Sequence, residues 1–179
     1  PVAGATYTWN GPNAFTSNVQ NPTIPGATTL AAGVYTVRAV VAGCTSPNGL
    51  TTVTVNPIPG SPTPGSNSPI CAGSNLNLTA TAIAGATYNW SGPNSFTSNV
   101  QNPTIVCATT LATGIYSVNV TVAGCTGTNS TISVTVNPIP TAPTVGSNSP
   151  LCAGQTLSLT ATPVAGATYT WNGPNAFTS

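Results

Sequence analysis

An 81-residue self-repeat limits what this chain can fold into more than any other feature. Thr6-Tyr7-Thr8-Trp9 returns as Thr87-Tyr88-Asn89-Trp90 and again as Thr168-Tyr169-Thr170-Trp171, each time 81 residues on. Gly43-Cys44-Thr45 returns at Gly124-Cys125-Thr126 and Cys71-Ala72-Gly73 at Cys152-Ala153-Gly154, with the same offset. Repetition at a fixed period is the signature of one structural unit used several times. A longer period lies behind it. Residues 1–17 are identical to residues 163–179, whereas in the middle copy Pro1, Val2, Thr8, Asn10 and Ala14 are replaced by Ala82, Ile83, Asn89, Ser91 and Ser95. This pattern predicts a two-repeat unit continued along a longer array. The chain opens on Pro1 inside a motif, with neither an initiating Met nor a signal peptide, and so reads as a window on that array.

Unit boundaries are expected in Val55-Asn56-Pro57-Ile58-Pro59 and Val136-Asn137-Pro138-Ile139-Pro140, each followed by a stretch rich in Pro and Ser that ends at Pro69 or Pro150. Proline at this density makes a linker semi-rigid and extended. The division is therefore 1–57, the back of one repeat; 58–138, a complete repeat; and 139–179, the front of the next.

Within the complete repeat the apolar pattern has period two. Leu76, Leu78 and Ala80 alternate with Asn77 and Thr79, and Tyr88 and Trp90 share one face of the next segment. Gly92-Pro93-Asn94 is a turn signal, and Phe96 begins a short return toward Pro103-Thr104-Ile105. Tyr116, Val118, Val120 and Val122 alternate with polar residues, as do Ile132, Val134 and Val136 after the turn at Gly124-Cys125, which predicts a hairpin. Short alternating strands with turn signals over some 80 to 100 residues predict an all-β sandwich.

Charge excludes whole classes of function. The 179 residues include one Lys or Arg, no Asp or Glu and no His. General acid–base catalysis and activation of a Ser or Thr nucleophile draw on those side chains, and a calcium site needs carboxylates, so the chain is not expected to be an enzyme or to hold a cofactor or metal. The single Arg38 provides no basic stripe for nucleic acid and reads as a solvated strand residue. No apolar run approaches the roughly 20 residues of a spanning helix. Hydrophobic residues at 40% suffice for a core. The five Cys, without His or a C-x-x-C pair, fit disulfides in an oxidising compartment better than zinc.

Leu111-Ala112-Thr113-Gly114-Ile115-Tyr116 resembles the Gly-x-Tyr corner of immunoglobulin-like and polycystic-kidney-disease-like domains, and Trp90 resembles their strand C tryptophan. More narrowly, C-A-G-x-x-L-x-L-T-A from Cys71, Y-x-W-x-G-P-N-x-F-T-S from Tyr88, Q-N-P-T-I from Gln101 and G-x-Y-x-V from Gly114 together resemble the immunoglobulin-like repeats of very large surface proteins and adhesins of gliding, type IX-secreting bacteria. The resemblance implies an extracellular or cell-surface protein whose repeats form a stalk, adhesin or filament. Val118 stands where antibody-type domains carry a cysteine two residues after the corner tyrosine, and Ala112 stands where an acidic residue often precedes the corner, so their inter-sheet disulfide is absent.

Cys71, just before the first core strand, and Cys125, at the hairpin turn, occur once per repeat, and an intradomain Cys71–Cys125 bridge is the first expectation. Closing that loop would stabilise the fold by roughly 4 kcal/mol in the chain-entropy model. The rival is Cys44–Cys71 across the linker, which would staple neighbouring repeats. Cys107 stands where the first repeat has Gly26 and is a candidate intermolecular thiol, with an inert thiol as the bland alternative. Tyr88, Trp90, Phe96 and Tyr116 read as core more readily than as a sugar-stacking platform, Phe96 being the candidate for exposure. Gly92, Pro93, Asn94 and Phe96 form the candidate binding loop. The Asn-x-Ser/Thr triplets at Asn77, Asn89, Asn119 and Asn129 carry little weight in a chain so rich in Thr and Asn. Two functions follow: a stalk or filament whose repeats self-associate, or an adhesion module that holds surface glycans or a protein on its turn loops.

Overall fold

A computed structural model describes residues 4–179; Pro1 and Val2, which mark the longer period, lie outside them. Residues 4–57 form strands β1 (Thr6–Asn10), β2 (Thr16–Ser17), β3 (Gly33–Val41), β4 (Cys44–Thr45) and β5 (Gly49–Val53). The middle repeat forms β6 (Pro64–Ser66), β7 (Ile70–Cys71), β8 (Leu76–Ala80), β9 (Thr87–Gly92), β10 (Phe96–Ser98), β11 (Thr104–Ile105), β12 (Gly114–Val122), β13 (Cys125–Thr126), β14 (Ser130–Val134) and β15 (Val136–Asn137). Beyond it lie β16 (Val145–Ser147) and β17 (Leu159–Ala161). Helix among the described residues is confined to three short 3-10 turns.

The middle repeat is a two-sheet β-sandwich. One sheet runs β10-β9-β12-β13, with β14 also paired to β12; the other runs β11-β8-β6, and β15 adds a short parallel pairing to β7. The alternation read from the sequence becomes the core: Leu76 and Leu78 face inward with Tyr88, Trp90, Tyr116, Val118, Val120, Val134 and Val136, all buried. Sheets buried on one face and wet on the other produce this period-two pattern. The β12–β14 hairpin forms as expected, with Tyr116 opposite Ile132 and Gly114 opposite Val134.

Every polar tip that the core swallows finds a backbone partner. The Tyr116 hydroxyl donates to the Ala112 carbonyl at 2.9 Å, closing the Gly-x-Tyr corner. Trp90 Nε1 donates to the Gln101 carbonyl at 3.2 Å, and Gln101 Nε2 in turn donates to the Ala80 carbonyl at 2.8 Å. The Tyr88 hydroxyl donates to the Thr81 carbonyl and accepts the Ile83 N–H, both at 3.0 Å. No buried side-chain nitrogen or oxygen among the described residues lacks a partner, so the core carries no desolvation penalty for an orphaned group.

Burial raises the Tyr116 pKa above the ordinary phenol value, and this sets the pH response. The unfolded chain releases that proton near pH 10 while the folded chain retains it. A raised folded pKa contributes stability that is fully present below pH 10 and is lost as the pH rises beyond it. No carboxylate or imidazole side chain titrates on the acid side. Calorimetry should find the unfolding midpoint flat within about 3 °C from pH 2 to pH 8 and falling above pH 10, the alkaline fall shrinking in Tyr116→Phe. A steep loss between pH 5 and pH 3 would contradict this account.

Candidate functional site

The candidate binding loop serves the core. Asn94 and Ser95 adopt φ of 53° and 57°, the consecutive left-handed pair that a two-residue type I′ hairpin needs, and the Phe96 N–H closes the turn on the Pro93 carbonyl at 3.1 Å. Register then places Phe96 opposite Gly92. Its ring meets Tyr116 edge-on at 5.5 Å between centroids. Phe96 is therefore partly buried against the core, less so than Tyr88, Trp90 and Tyr116: the tight turn folds the return strand back over the corner tyrosine. Gly92 lies flat on the Tyr116 ring and Pro93 sits against Gly114, where a Cβ would lie 2.7 Å from the Pro93 ring. Only the tip, Asn94 and Ser95, is exposed.

No two of the five cysteines are bridged to each other within the chain. Cys71 is in register with Asn137 at the base of the sandwich, where the Val136 N–H also meets Thr113 Oγ1 at 2.9 Å. Cys125 pairs with Val122 at the opposite end. Between those ends β12 runs from Gly114 to Val122, a rise of roughly 26 Å at about 3.3 Å per residue. A disulfide spans a Cα separation of at most about 7 Å. The intradomain Cys71–Cys125 bridge expected from the sequence is therefore not formed, because the hairpin and the base are a full strand length apart. Cys44 and Cys71, the rival pair, lie in different repeats: Cys44 on the hairpin of the first, opposite Val41, and Cys71 at the base of the second.

Cys107 is exposed on a turn, with φ of 49° and its N–H donating to Asn75 Oδ1 at 3.1 Å. Gly26, its counterpart 81 residues earlier, has φ of 63°. Both repeats thus ask for a left-handed residue here, and the middle repeat meets the demand with cysteine. Arg38 is exposed on β3 opposite Thr8.

Two features lie outside the candidate residues, of which only the second was expected from the sequence. The first is a junction: the linker after the first repeat is seated on the hairpin of the second. Asn56 Nδ2 donates to the Ala123 carbonyl at 3.0 Å, Cys125 Sγ donates to the Asn56 carbonyl at 3.6 Å, and the Ser61 and Thr128 hydroxyls hydrogen-bond to each other. Gly127 admits the linker, since a Cβ there would lie 2.7 Å from the Pro59 carbonyl oxygen.

The second is a pair of open half-sandwiches. Residues 4–57 build a single sheet, ordered β2-β1-β3-β4 with β5 also on β3. Its inner face is a groove of about 400 Å³, lined by Trp9, Phe15, Tyr35, Val53 and Val55 among others. Trp9 and Tyr35 correspond to Trp90 and Tyr116, and Phe15 meets Tyr35 edge-on at 5.5 Å, as Phe96 meets Tyr116. In the middle repeat β6 and β8 cover that face. Their counterparts are β16 and β17, paired in the same register: Val145 opposite Ala161, as Pro64 is opposite Ala80. Leu157 and Leu159 are 57% and 42% exposed, whereas their equivalents Leu76 and Leu78 are fully buried.

Among the described residues no cluster of His, Cys, Asp and Glu could hold a metal ion, and no helix is long and apolar enough to cross a membrane. The sequence matches no protein-family model and no curated protein. Among solved structures, the chain is similar to murine CEACAM1b, at 14% identity and a TM-score of 0.46 over 76% of this chain and 87% of that one. It is also similar to the amphioxus IgVJ-C2 molecule, at 13% identity and a TM-score of 0.39 over 75% of this chain and 91% of that one. The immunoglobulin-like β-sandwich rests on the strand ladders of the chain itself.

Proposed function

We propose that this chain is an extracellular structural repeat that builds a stalk or filament by head-to-tail completion of sandwiches. Residues 139–162 of one unit cover the open face of residues 4–57 of the next. The observation that carries this reading is the match between the two open halves. The middle repeat displays the completed product: β6 and β8 lie over Trp90 and Tyr116, and the same residue types recur in β16 and β17 and in the groove over Trp9 and Tyr35. Leu157 and Leu159 are 57% and 42% exposed, so burying them as Leu76 and Leu78 are buried contributes about 1 kcal/mol each. A nearly uncharged surface adds little repulsion between units. Residues 163–179 duplicate residues 1–17, so unit follows unit with the same junction whether the next unit is on the same polypeptide or on a second copy. Such repeats suit the surface proteins of gliding bacteria that the sequence motifs resemble.

Sedimentation velocity tests this on the 179-residue chain. Oligomers should grow with concentration, be indifferent to salt and shorten when a peptide of residues 139–162 is added in excess. Leu159→Ala, at a cost of about 2 kcal/mol or more, should weaken association roughly 30-fold. A chain that stays monomeric at high concentration, and whose Trp9 fluorescence ignores the peptide, would overturn the proposal.

A further inference from the structure

We infer that consecutive repeats are stapled by disulfides between the cysteine at the base of one and the hairpin cysteine of the next: Cys71 with Cys44 of the following unit, and Cys152 with Cys125 of the following unit. The inference rests on the head-to-tail reading above.

The argument follows one residue, Asn137, and its counterpart Asn56, 81 positions earlier. At the base of the middle repeat Asn137 is the register partner of Cys71, and its carbonyl accepts the Ala72 N–H at 2.8 Å. Strand neighbours stand about 4.8 Å apart. At the base of the first repeat Asn56 carries the hairpin of the second, with Cys125 Sγ 3.6 Å from its carbonyl oxygen. Cys152 corresponds to Cys71. When residues 139–162 complete the sandwich of residues 4–57, Cys152 takes the place beside Asn56 that Cys71 takes beside Asn137, and so arrives next to Cys125. The same step around the 162-residue period brings Cys44 of the following unit onto Asn137, beside Cys71. Both cysteines are thus brought to the carbonyl of one asparagine, and the staple requires their Cα atoms to settle about 4.4–6.8 Å apart on that same side.

Neither cysteine of either pair belongs to the core, and all four are at least partly exposed, so oxidation needs no unfolding. Each bridge forms when two thiols give up two protons and two electrons to an external disulfide oxidant, which is reduced to its dithiol, a class of reagent that oxidising compartments supply. Cys107 has no counterpart in the first repeat and remains a thiol.

The test is peptide mapping of the assembled, non-reduced protein after alkylation. The expected result is a Cys44–Cys71 linked peptide and a Cys125–Cys152 linked peptide, both recovered from covalent oligomers on a non-reducing gel and absent from the monomer band, with Cys107 alkylated; the same links confined to monomers would be the staple across the linker and would overturn the inference. Cys125→Ser should abolish the second link and leave the first, with an unchanged unfolding midpoint. Assembled material with all five cysteines alkylated, or with Cys71 linked to Cys125 or to Cys107, would overturn the staple while leaving the filament reading intact. A failure of assembly would overturn both.

Discussion

Trp90→Ala is expected to cost the middle repeat about 3–5 kcal/mol, the range for removing a buried aromatic from a packed core. At roughly 4–8 °C per kcal/mol for a domain of this size, the unfolding midpoint should fall by at least about 12 °C. The indole, on β9, is 2% exposed in the core cluster that includes Leu76 and Leu78 of β8, with Val118 of β12 as its register partner. Its removal leaves a cavity and also strands the Gln101 carbonyl that accepts Nε1 at 3.2 Å. Trp9 supplies the internal control. It occupies the same position in a repeat whose second sheet is open, and it is only half-buried, so in the unassembled chain Trp9→Ala should cost much less. Equal losses from the two substitutions, measured by urea unfolding below the assembly concentration, would show that the second sheet contributes little.

Gly92→Ala should also be severe, at about 3 kcal/mol, because inserting a methyl group into a well-packed site forces side chains or backbone to move. A Cβ at this position would overlap Cδ1 of Tyr116 and lie 2.6 Å from Cε1. The ring cannot retreat. Tyr116 is fully buried, its hydroxyl is tied to Ala112 and its edge is met by Phe96. The Gly-Pro-Asn motif is thereby explained by packing: glycine for close approach to the ring, proline against Gly114, asparagine for the left-handed turn. Asn94→Ala, at the exposed tip, should cost well under half as much, since it loses only a turn preference. If Gly92→Ala left the urea midpoint within experimental error while abolishing adhesion to a glycan surface, the packing explanation would fail and the loop would be a binding site.

What could be read from the sequence was whatever depends on near neighbours along the chain. Leu76, Leu78 and Ala80 on β8, Tyr88 and Trp90 on β9, and Tyr116, Val118 and Val120 on β12 are buried as their alternation predicts, because a strand turns successive side chains to opposite faces wherever it sits. The β12–β14 hairpin and the turn after Gly92 were equally legible, since turn geometry is written in a few adjacent residues. The partial cover of Phe96 was not legible because it comes from Tyr116, twenty positions on, brought near only when β9 pairs with both β10 and β12.

The cysteines show the same limit more sharply. Spacing revealed that Cys71 and Cys125 recur together in each repeat, but not that nine residues of β12 hold them at opposite ends. Period-two patterning says which face a residue is on; it does not say which end of the sandwich the residue reaches, because that depends on how many strands run up and down before the chain returns. The junction at Asn56 and the match between the two open halves are decided in the same way, by strand direction and register across sheets. The repeat itself and the core followed from composition and spacing alone, because they ask only which residues are present and how far apart they stand.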